Sequence, residues 1–436
     1  MAESSTPPVS NPTSDAISSP ISDVVELRGH ILDTGTLSSV LDEILELGTD
    51  YVIERFDVGK RPDDLSYARI RINTSDEQTL LELIARVQQY GANLVDPGEA
   101  ELQTVTADGV FPDSFYSTTN LETEVRLDGH WLHVEHPEMD CGLRVEQPAV
   151  AGAPPRVSTV PVSDAKKGDR IVCGSRGVKV VTPIQQDRSD ANDTGFEFMN
   201  SVVSSEKPQF LQVRHIADQM RAVKAAGSKI LWVGGPAVIH TGAAPALCAL
   251  IKADYVDVLF GGNAIAAHDI ESALFGTSLG VDLAKGSGVE HGHEHHIRAI
   301  NRIRGAGSIE AAVAQGVLTS GVMHDLVVHG KTFVLVGSVR DDGPLPDVYT
   351  DVIEGQRAMR AALPGVGFAI MVATMLHAIA TGNILPATVP LVCVDINPAT
   401  VTKLADRGSA QAAGIVTDIG LFLEQLAQEL TGFRSP

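Results

Sequence analysis

The spacing of apolar and polar residues predicts an α/β chain built from three units that follow a polar beginning. Residues 1–22 are rich in Ser, Pro and Thr and carry few large apolar side chains, which predicts a disordered tail. In residues 23–100, two segments with helical spacing lie between strand-like segments in the order β-α-β-β-α-β. This order predicts an N-terminal ferredoxin-like α+β module.

Residues 101–185 change to short strand-like runs that are separated by turn residues. Leu121–Leu127 and His130–Val134 flank Asp128-Gly129, a pair that is typical of tight hairpin turns. The pattern predicts a small β-rich middle segment, which is either a sheet or a barrel.

Residues 186–436 alternate short, nearly continuous apolar strands with helices, the pattern of a parallel sheet that is covered on both faces. We therefore expect a C-terminal Rossmann-like domain. Phe368–Ala380 is the most apolar stretch and contains His377, and we interpret it as a buried helix. No apolar run reaches the roughly 18 residues that a membrane span requires.

The charge balance limits the possible partners. With 33 Lys and Arg against 55 Asp and Glu, the formal net charge is −22, which argues against a nucleic-acid partner. A highly solvated acidic surface, as in proteins of salty cytoplasm, explains this charge, and an acidic patch for cationic substrates is the alternative. The four cysteines are scattered without a CxxC pair, which favours a reducing cytoplasm.

Glycine-rich loops follow three of the expected strands and begin at Gly234, Gly261 and Gly337. Glycines let backbone N–H groups approach a phosphate, and ligands of open α/β sheets bind beyond the carboxyl ends of the strands. The loops therefore predict a ligand crevice at one sheet edge. Glycines that only permit tight turns are the alternative.

Asp395 ends an apolar strand that begins at Leu391. An acidic residue in such a place can bind the ribose hydroxyls of NAD, although no strict GxGxxG run accompanies it here. The alternative is a helix cap ahead of Pro398.

A dense histidine cluster, HGHEHH, occupies residues 291–296. Its order differs from the HExxH zinc pattern and few other ligands surround it, so we interpret it as a helix start with local hydrogen bonds and expect no metal. Lys207 precedes another expected helix, where it could hold a carboxylate or simply belong to a capped helix start with Pro near its first turn.

Several longer motifs carry a resemblance to a known family, and together they extend from about residue 23 to residue 432. These motifs are LRGHILDTG (27–35), SYARIRI (66–72), FMNSVVSSEKPQF (198–210), LFGGNAIAAHDIE (259–271), FVLVGSVRDDGPLPDVYTD (333–351), ATMLHAIATGNILP (373–386) and CVDINPATVTKLADRGSAQAAGIVTD (393–418). The chain resembles the archaeal-type ornithine cyclodeaminases. Its amino-terminal part resembles the domain named after the plant lysine-ketoglutarate reductase/saccharopine dehydrogenase enzyme.

The resemblance implies an enzyme that converts L-ornithine to L-proline and ammonia by oxidation, cyclisation and re-reduction, with NAD held in the carboxy-terminal half. The cofactor-binding positions that the motifs imply are Asn263, Ala264, Asp342, Thr374, Met375, Leu376, His377, Asp395, Asn397 and Asp418. The catalytic candidates are Asp342, Lys207 and His377. Asp341 and Arg340 are further candidates for binding the charged groups of the substrate, and structural ion pairing is the alternative for each.

Two other functions share these features. An NAD(P)-dependent amino-acid dehydrogenase that releases NADH uses the same half-reaction. A non-catalytic regulator would bind an amino acid or NAD without turnover. For any of the three we expect a cytoplasmic homo-oligomer that acts on small molecules, without nucleic-acid or membrane partners.

Overall fold

A computed structural model of the protein describes residues 21–32, 34–61, 64–148, 154–181, 209–279, 281–282, 294–341, 343–406 and 412–434. Nearly all of the expected tail, and also Lys207, His291, His293 and Asp342, lie outside these residues. Within them, no helix is long and apolar enough to cross a membrane.

The first unit is a four-stranded antiparallel sheet with two helices. Its elements are β1 (Ile21–Gly29), α1 (Thr36–Glu46), β2 (Asp50–Asp57), β3 (Ser66–Thr74), α2 (Glu77–Gln88) and β4 (Asn93–Leu94). The strand order is β2-β3-β1-β4, which is the ferredoxin-like arrangement and confirms the prediction. Alternate residues of β1 and β3, such as Leu27 and Ile70, pack against Leu83 and Ile84 of α2 in one apolar core.

The second unit is a seven-stranded mixed sheet. Its strands are β5 (Glu101–Thr104), β6 (Glu122–Leu127), β7 (His130–Glu135), β8 (Gly142–Glu146), β9 (Arg156–Val160), β10 (Arg170–Cys173) and β11 (Val178–Val181). The strand order is β11-β6-β7-β9-β8-β10-β5. Asp128 and Gly129 turn the β6–β7 hairpin with φ angles of 51° and 78°, as a two-residue hairpin turn requires, so the expected hairpin is confirmed.

The third unit is a seven-stranded parallel sheet with helices on both faces. Its helices are α3 (Gln209–Ala225), α4 (Ala237–His240), α5 (Ala244–Lys252), α6 (Asn263–Phe275), α7 (His295–Ala306), α8 (Ile309–Ala314), α9 (Val322–Val328), α10 (Val352–Ala362), α11 (Leu376–Ile384), α12 (Pro398–Asp406) and α13 (Ile419–Thr431). Its strands are β12 (Lys229–Gly234), β13 (Val258–Gly261), β16 (Thr332–Val336), β17 (Val348–Tyr349), β18 (Val366–Val372), β19 (Leu391–Asp395) and β20 (Ala412–Val416). A separate hairpin is formed by β14 (Thr277–Ser278) and β15 (Val281–Asp282).

The order of the parallel sheet is β17-β16-β13-β12-β18-β19-β20. Without the short edge strand β17, the other six strands have the Rossmann order. The chain starts at the central strand β12, adds β13 and β16 on one side, and then adds β18, β19 and β20 on the other side. One face packs against α3 to α9 and α13, and the other against α10, α11 and α12. The Rossmann-like prediction is therefore confirmed.

One prediction in this unit is wrong. Phe368–Ala380 is not a single helix, because its first residues belong to the central strand β18 and the helix α11 begins only at Leu376. A strand that is buried on both faces has no alternation of apolar and polar residues, so its pattern resembles that of a buried helix. The break falls at Ala373, whose φ of 52° is left-handed.

The middle sheet joins the other two units through buried polar contacts. The Asn93 amide bonds both backbone groups of Val180, linking the ferredoxin-like module to β11. On the other side, the backbone N–H of Met139 donates to the carbonyl of Asn383 at 2.8 Å. Arg360 on α10 donates to the buried carboxylate of Glu138 at 2.7 Å. These contacts hold the parallel sheet against the middle sheet.

Candidate active site

The crevice of the parallel sheet lies at its topological switch point, between the neighbouring strands β12 and β18. After β12 the chain enters α4, whose Val238 packs on one face of the sheet, and after β18 it enters α11, whose Ala378 packs on the other. The two connections therefore diverge and leave an opening at the carboxyl ends of the strands. Ligands of doubly wound sheets bind in this place.

Backbone atoms form the floor of this opening because a glycine permits a close approach. A Cβ atom at Gly235 would lie 1.8 Å from the carbonyl oxygen of Ala373, so no other residue fits without a backbone shift. The Gly235 N–H donates to the Val372 carbonyl at 2.9 Å. Ala373 itself holds a left-handed φ of 52°, a strained conformation that is typical of ligand sites.

The side chain of His377 extends from α11 to the ends of β13 and β16. Its ring lies over Gly262, where an added Cβ would be 3.2 Å from Cε1, and it forms a hydrogen bond with the backbone of Val336. Burial lowers the pKa of His377, and the bond to Val336 and the nearby Asp341 act in the opposite direction. Asp341 accepts a hydrogen bond from the Ser338 N–H at 2.6 Å, which fixes the loop after β16. The structure therefore brings two of the candidate residues together.

The candidates at the start of α6 and α11 differ in their exposure. Asn263 is buried, and its Oδ1 accepts a hydrogen bond from the Leu345 N–H at 3.0 Å, so part of its amide supports the fold. Ala264 follows it and is partly buried. Thr374 and Met375 are partly buried in the connection after β18. The remaining candidate of this group, Leu376, is 76% exposed.

The acidic and amide candidates follow β19 and β20. Asp395 is only 8% exposed, and its Oδ1 accepts the Asn397 N–H at 2.8 Å. Asn397 is exposed, and its Oδ1 accepts the Ala399 N–H at the start of α12. Asp418 caps α13 by accepting the Leu421 N–H at 2.9 Å. These three residues lie along the same sheet edge as the switch point, and each also has a local structural bond.

The described part of the histidine cluster differs from the expectation. His295 does begin α7, which confirms a helix start, but its Nδ1 bonds the Thr277 hydroxyl at 2.8 Å and its ring stacks on Phe275. The contacts are therefore tertiary rather than local. Among the described residues, no group of three or more His, Cys, Asp or Glu side chains could hold a metal ion.

Sequence reasoning missed a group of side chains that stands beside the crevice. His240, at the end of α4, contacts His268 of α6, and His268 bonds the buried Glu271 one helical turn later. The spacing of three residues between His268 and Glu271 was the available signal, because it places both on one side of a helix. The contact with His240 depends on the tertiary fold and leaves no local pattern.

The strand order and the switch-point crevice define the class of Rossmann-fold proteins, and three family models match the chain in succession. The LOR/SDH bifunctional enzyme conserved region matches residues 22–121. The first region of the C-terminal part of arginine dihydrolase ArgZ-like proteins matches residues 122–213, and the Rossmann fold of that part matches residues 214–426. The ornithine cyclodeaminase of Methanothermobacter thermautotrophicus is 49% identical over 93% of this chain and 97% of its own length. The chain belongs to the ornithine cyclodeaminase family.

Solved structures share this fold. The apo structure of ArgZ, an arginine dihydrolase from the ornithine-ammonia cycle in cyanobacteria, matches with a TM-score of 0.82 and 36% identity over 98% of this chain and 61% of that chain. The ternary complex of AgrE with ornithine and NAD+ matches with a TM-score of 0.50 and 39% identity over 95% of this chain and 58% of AgrE. This chain therefore spans about three fifths of the length of those two proteins.

Proposed function

We propose that this protein is an ornithine cyclodeaminase, which converts L-ornithine to L-proline and ammonia with NAD as a recycled cofactor. Membership of the ornithine cyclodeaminase family supports the reaction. The complex of AgrE with ornithine and NAD+ supports the pair of ligands, since this chain is similar to AgrE over 95% of its length. The observation that carries the proposal is the switch-point crevice between β12 and β18, because a dinucleotide and a small substrate can meet there.

The residues around this crevice fit NAD. Gly235 leaves its backbone open to a close approach, and Asp395 offers a nearly buried carboxylate at a strand end, where a ribose can bind. We assign cofactor contacts to Asn263, Ala264, Thr374, Met375, Leu376, His377, Asp395, Asn397 and Asp418. Asp342 is included in this set only because of its position in the motif. When bound, NAD accepts a hydride from Cα of the substrate and returns it to the cyclic imine.

The chain itself must bind the charged ends of the substrate and move protons. Burial lowers the pKa of His377, so its ring is neutral near pH 7 and able to accept a proton. Asp341 supplies a negative charge beside it, which can attract the ammonium group of the substrate. Lys207 is our candidate for the substrate carboxylate and Asp342 for acid–base chemistry, both on motif position.

We place this reaction in the cytoplasm. Cys141, Cys173, Cys248 and Cys393 are all free and buried, as expected of a protein from a reducing compartment. The net charge of −22 supports a strongly solvated acidic surface. Assembly into a homo-oligomer stays a prediction.

Product analysis with labelled ornithine tests the proposal. Purified protein receives ornithine with ¹⁵N at the α-amine and far less NAD than substrate. We expect unlabelled proline, labelled ammonia and many turnovers for each NAD, because the hydride returns to the product. A reaction that stops once all of the NAD has become free NADH would identify a dehydrogenase instead. Binding of ornithine and NAD without any product would identify a regulator.

A further inference from the structure

Three histidines from separate elements meet beside the crevice. His240 ends α4, His268 lies in the middle of α6, and His296 lies in the first turn of α7. The ring centroids of His240 and His268 are 4.7 Å apart in an edge-on contact, and those of His268 and His296 are 6.2 Å apart. His268 is therefore the central ring of the group.

The position of this group follows from the helices that carry it. With a rise of 1.5 Å per residue, His240 lies roughly 6 Å beyond Pro236, which follows β12. By the same rise, His268 lies roughly 7 Å beyond the start of α6, which follows β13. Both histidines therefore lie within roughly 8 Å of helix starts that follow the carboxyl ends of β12 and β13, on the α4 and α6 side of the crevice, whereas His377 lies on α11.

Glu271 is the residue that makes this group unusual. Its carboxylate is completely buried. It accepts hydrogen bonds from the Thr277 hydroxyl at 2.9 Å and the Leu279 N–H at 3.3 Å, and its Oε2 lies 2.8 Å from Nδ1 of His268. Exposed His–Glu pairs at this helical spacing contribute little, but a buried carboxylate must be compensated by donors. The surrounding donors therefore hold the carboxylate in place.

The contact with Glu271 determines how the His268 ring is used. An acceptor carboxylate at Nδ1 fixes the tautomer in which Nδ1 carries the proton, so Nε2 has the lone pair. The His268 side chain is 12% exposed, so the ring is not completely enclosed. A carboxylate that orients an imidazole in this way prepares it to accept and return a proton.

The neighbouring histidines have other contacts. His240 Nδ1 lies 2.6 Å from the Ser278 hydroxyl, and burial lowers the pKa of His240. His295 bonds Thr277, which in turn donates to Glu271. These residues enclose His268 and its carboxylate.

We propose that His268 is a further acid–base residue, in addition to His377 and Asp342, that acts on the α-amine of the substrate, and that Glu271 is its positioning residue. The proposal rests on the proposed function, because it assigns a proton acceptor to the same crevice.

The proton moves twice in this scheme. Nε2 of His268 first takes a proton from the α-ammonium group, so that an N–H bond of the substrate breaks and an N–H bond of the imidazolium forms. The free electron pair on nitrogen then forms the C=N bond as Cα loses its hydride to the NAD of the proposed function. The δ-ammonium group loses one proton to solvent, adds to Cα as the neutral amine and then loses a second proton, and the imidazolium returns its own proton to the α-nitrogen. The C–N bond breaks, and ammonia leaves with the bonding electron pair.

Replacement of His268 gives the first test. In His268→Asn the amide N–H can still bond Glu271, so we expect normal folding and normal NAD affinity while kcat falls by roughly 10²–10⁴-fold, the range of general acid–base catalysis. In His268→Ala added imidazole should restore part of the lost turnover. The matched control is His324→Ala, which removes a histidine that contacts Asp325 on α9. We expect wild-type kcat for this control.

Replacement of Glu271 tests the positioning role. Glu271→Gln keeps the shape and an acceptor oxygen but removes the charge that favours the imidazolium. Without this charge, the imidazolium that forms during the reaction loses the carboxylate that contacts its Nδ1. We therefore expect a lower kcat with an unchanged KM for ornithine and an unchanged NAD affinity. A merely structural role would lower the melting temperature and would change KM and NAD affinity together with kcat.

The outcomes separate this proposal from the proposed function. If wild-type protein leaves ornithine untouched, both fail. If wild-type protein makes proline and His268→Asn retains its kcat with a normal melting curve, only the assignment of His268 is overturned. Loss of turnover in His268→Ala that imidazole does not restore, together with a lower melting temperature, would also overturn it. Rescue by imidazole supports it.

Discussion

At the scale of single residues, Asp395 combines two roles that one substitution can separate. Its Oδ1 accepts the Asn397 N–H, and its carboxylate is nearly buried at the end of β19. Asp395→Asn keeps an acceptor for this N–H but removes the charge. We expect NAD binding to weaken by about 1.5–3 kcal/mol, the contribution of a hydrogen bond to a charged group, as measured by titration calorimetry.

The control for Asp395 is Asp351→Asn at the start of α10, where the carboxylate accepts the N–H groups of Ile353 and Glu354. We expect this control to bind NAD like the wild-type protein. Unchanged NAD affinity in Asp395→Asn, with a normal melting curve, would reduce Asp395 to a turn-forming residue.

His377 makes the stability of the unliganded protein dependent on pH. Burial lowers its pKa in the folded state, so the unfolded chain binds the proton more tightly. The contribution of the neutral ring is complete above about pH 6.5, the ordinary histidine pKa, and is lost as the pH falls towards the folded-state value. We expect the melting temperature to fall below this pH, and to fall less in His377→Gln.

The exposed His130 on β7 provides the comparison for His377. His130→Gln should leave the pH dependence of the melting temperature unchanged. An identical pH dependence in His377→Gln and wild-type protein would contradict a buried neutral ring. His240, whose pKa is also lowered, accounts for a remaining dependence in the variant.

At the scale of elements, α13 allows a test of whether Asp418 is a cap, a cofactor contact or both. Its side chain accepts the Leu421 N–H, so Asp418→Ala should destabilise the protein by about 0.5–2 kcal/mol, the usual cost of losing an N-cap. Asp418→Asn retains the cap and should melt like wild-type protein. A cofactor contact would then be visible as weaker NAD binding in Asp418→Asn, and unchanged binding would leave a cap alone.

The pattern of the chain predicted those elements whose signals are local. The ferredoxin-like order and the β6–β7 hairpin followed from periodicity and from Asp128-Gly129, and most strands of the parallel sheet were recognised from their apolar runs. The strand β18 was interpreted as part of a helix because both of its faces are buried. Short helices such as α8 and α9 were not anticipated, since packing against neighbouring elements stabilises them more than their own sequences do.

The candidate site was predictable only where it follows strand ends. The loop that begins at Gly234 and the residue Asp395 could be placed at one edge because parallel strands end together. His377 was implied only by the resemblance, because the strand before it was interpreted as part of a helix. His268 and Glu271 were not singled out, because their importance depends on His240 and Thr277, which come from other elements. A contact between elements that are distant in sequence has no signature in one chain.

At the scale of the whole molecule, the middle sheet connects the ferredoxin-like module to the parallel sheet. Gln88 of α2 donates to the carbonyls of Ser175 and Val178, and Asn120 accepts the Ala387 N–H at 2.8 Å and donates to the Leu385 carbonyl. Three of these bonds are donated by side-chain amides to backbone carbonyls of another unit, and the bond from Ala387 to Asn120 joins two backbone groups. The residues that follow α11, at 385–387, are thereby fixed from outside the parallel sheet.

The ion pair between Arg360 and Glu138 provides the sharpest test of this connection. The Glu138 carboxylate is only 8% exposed, so Arg360→Met leaves a buried charge without its cation and should lower the free energy of unfolding by up to about 3–5 kcal/mol in urea titrations. A second change, Glu138→Leu, removes that charge and should restore much of the loss. The exposed pair of Arg156 and Glu135 is the control, because Arg156→Met should cost no more than about 1 kcal/mol. If Arg360→Met costs no more than this control, water compensates Glu138 and the two sheets are held together mainly by their backbone bonds.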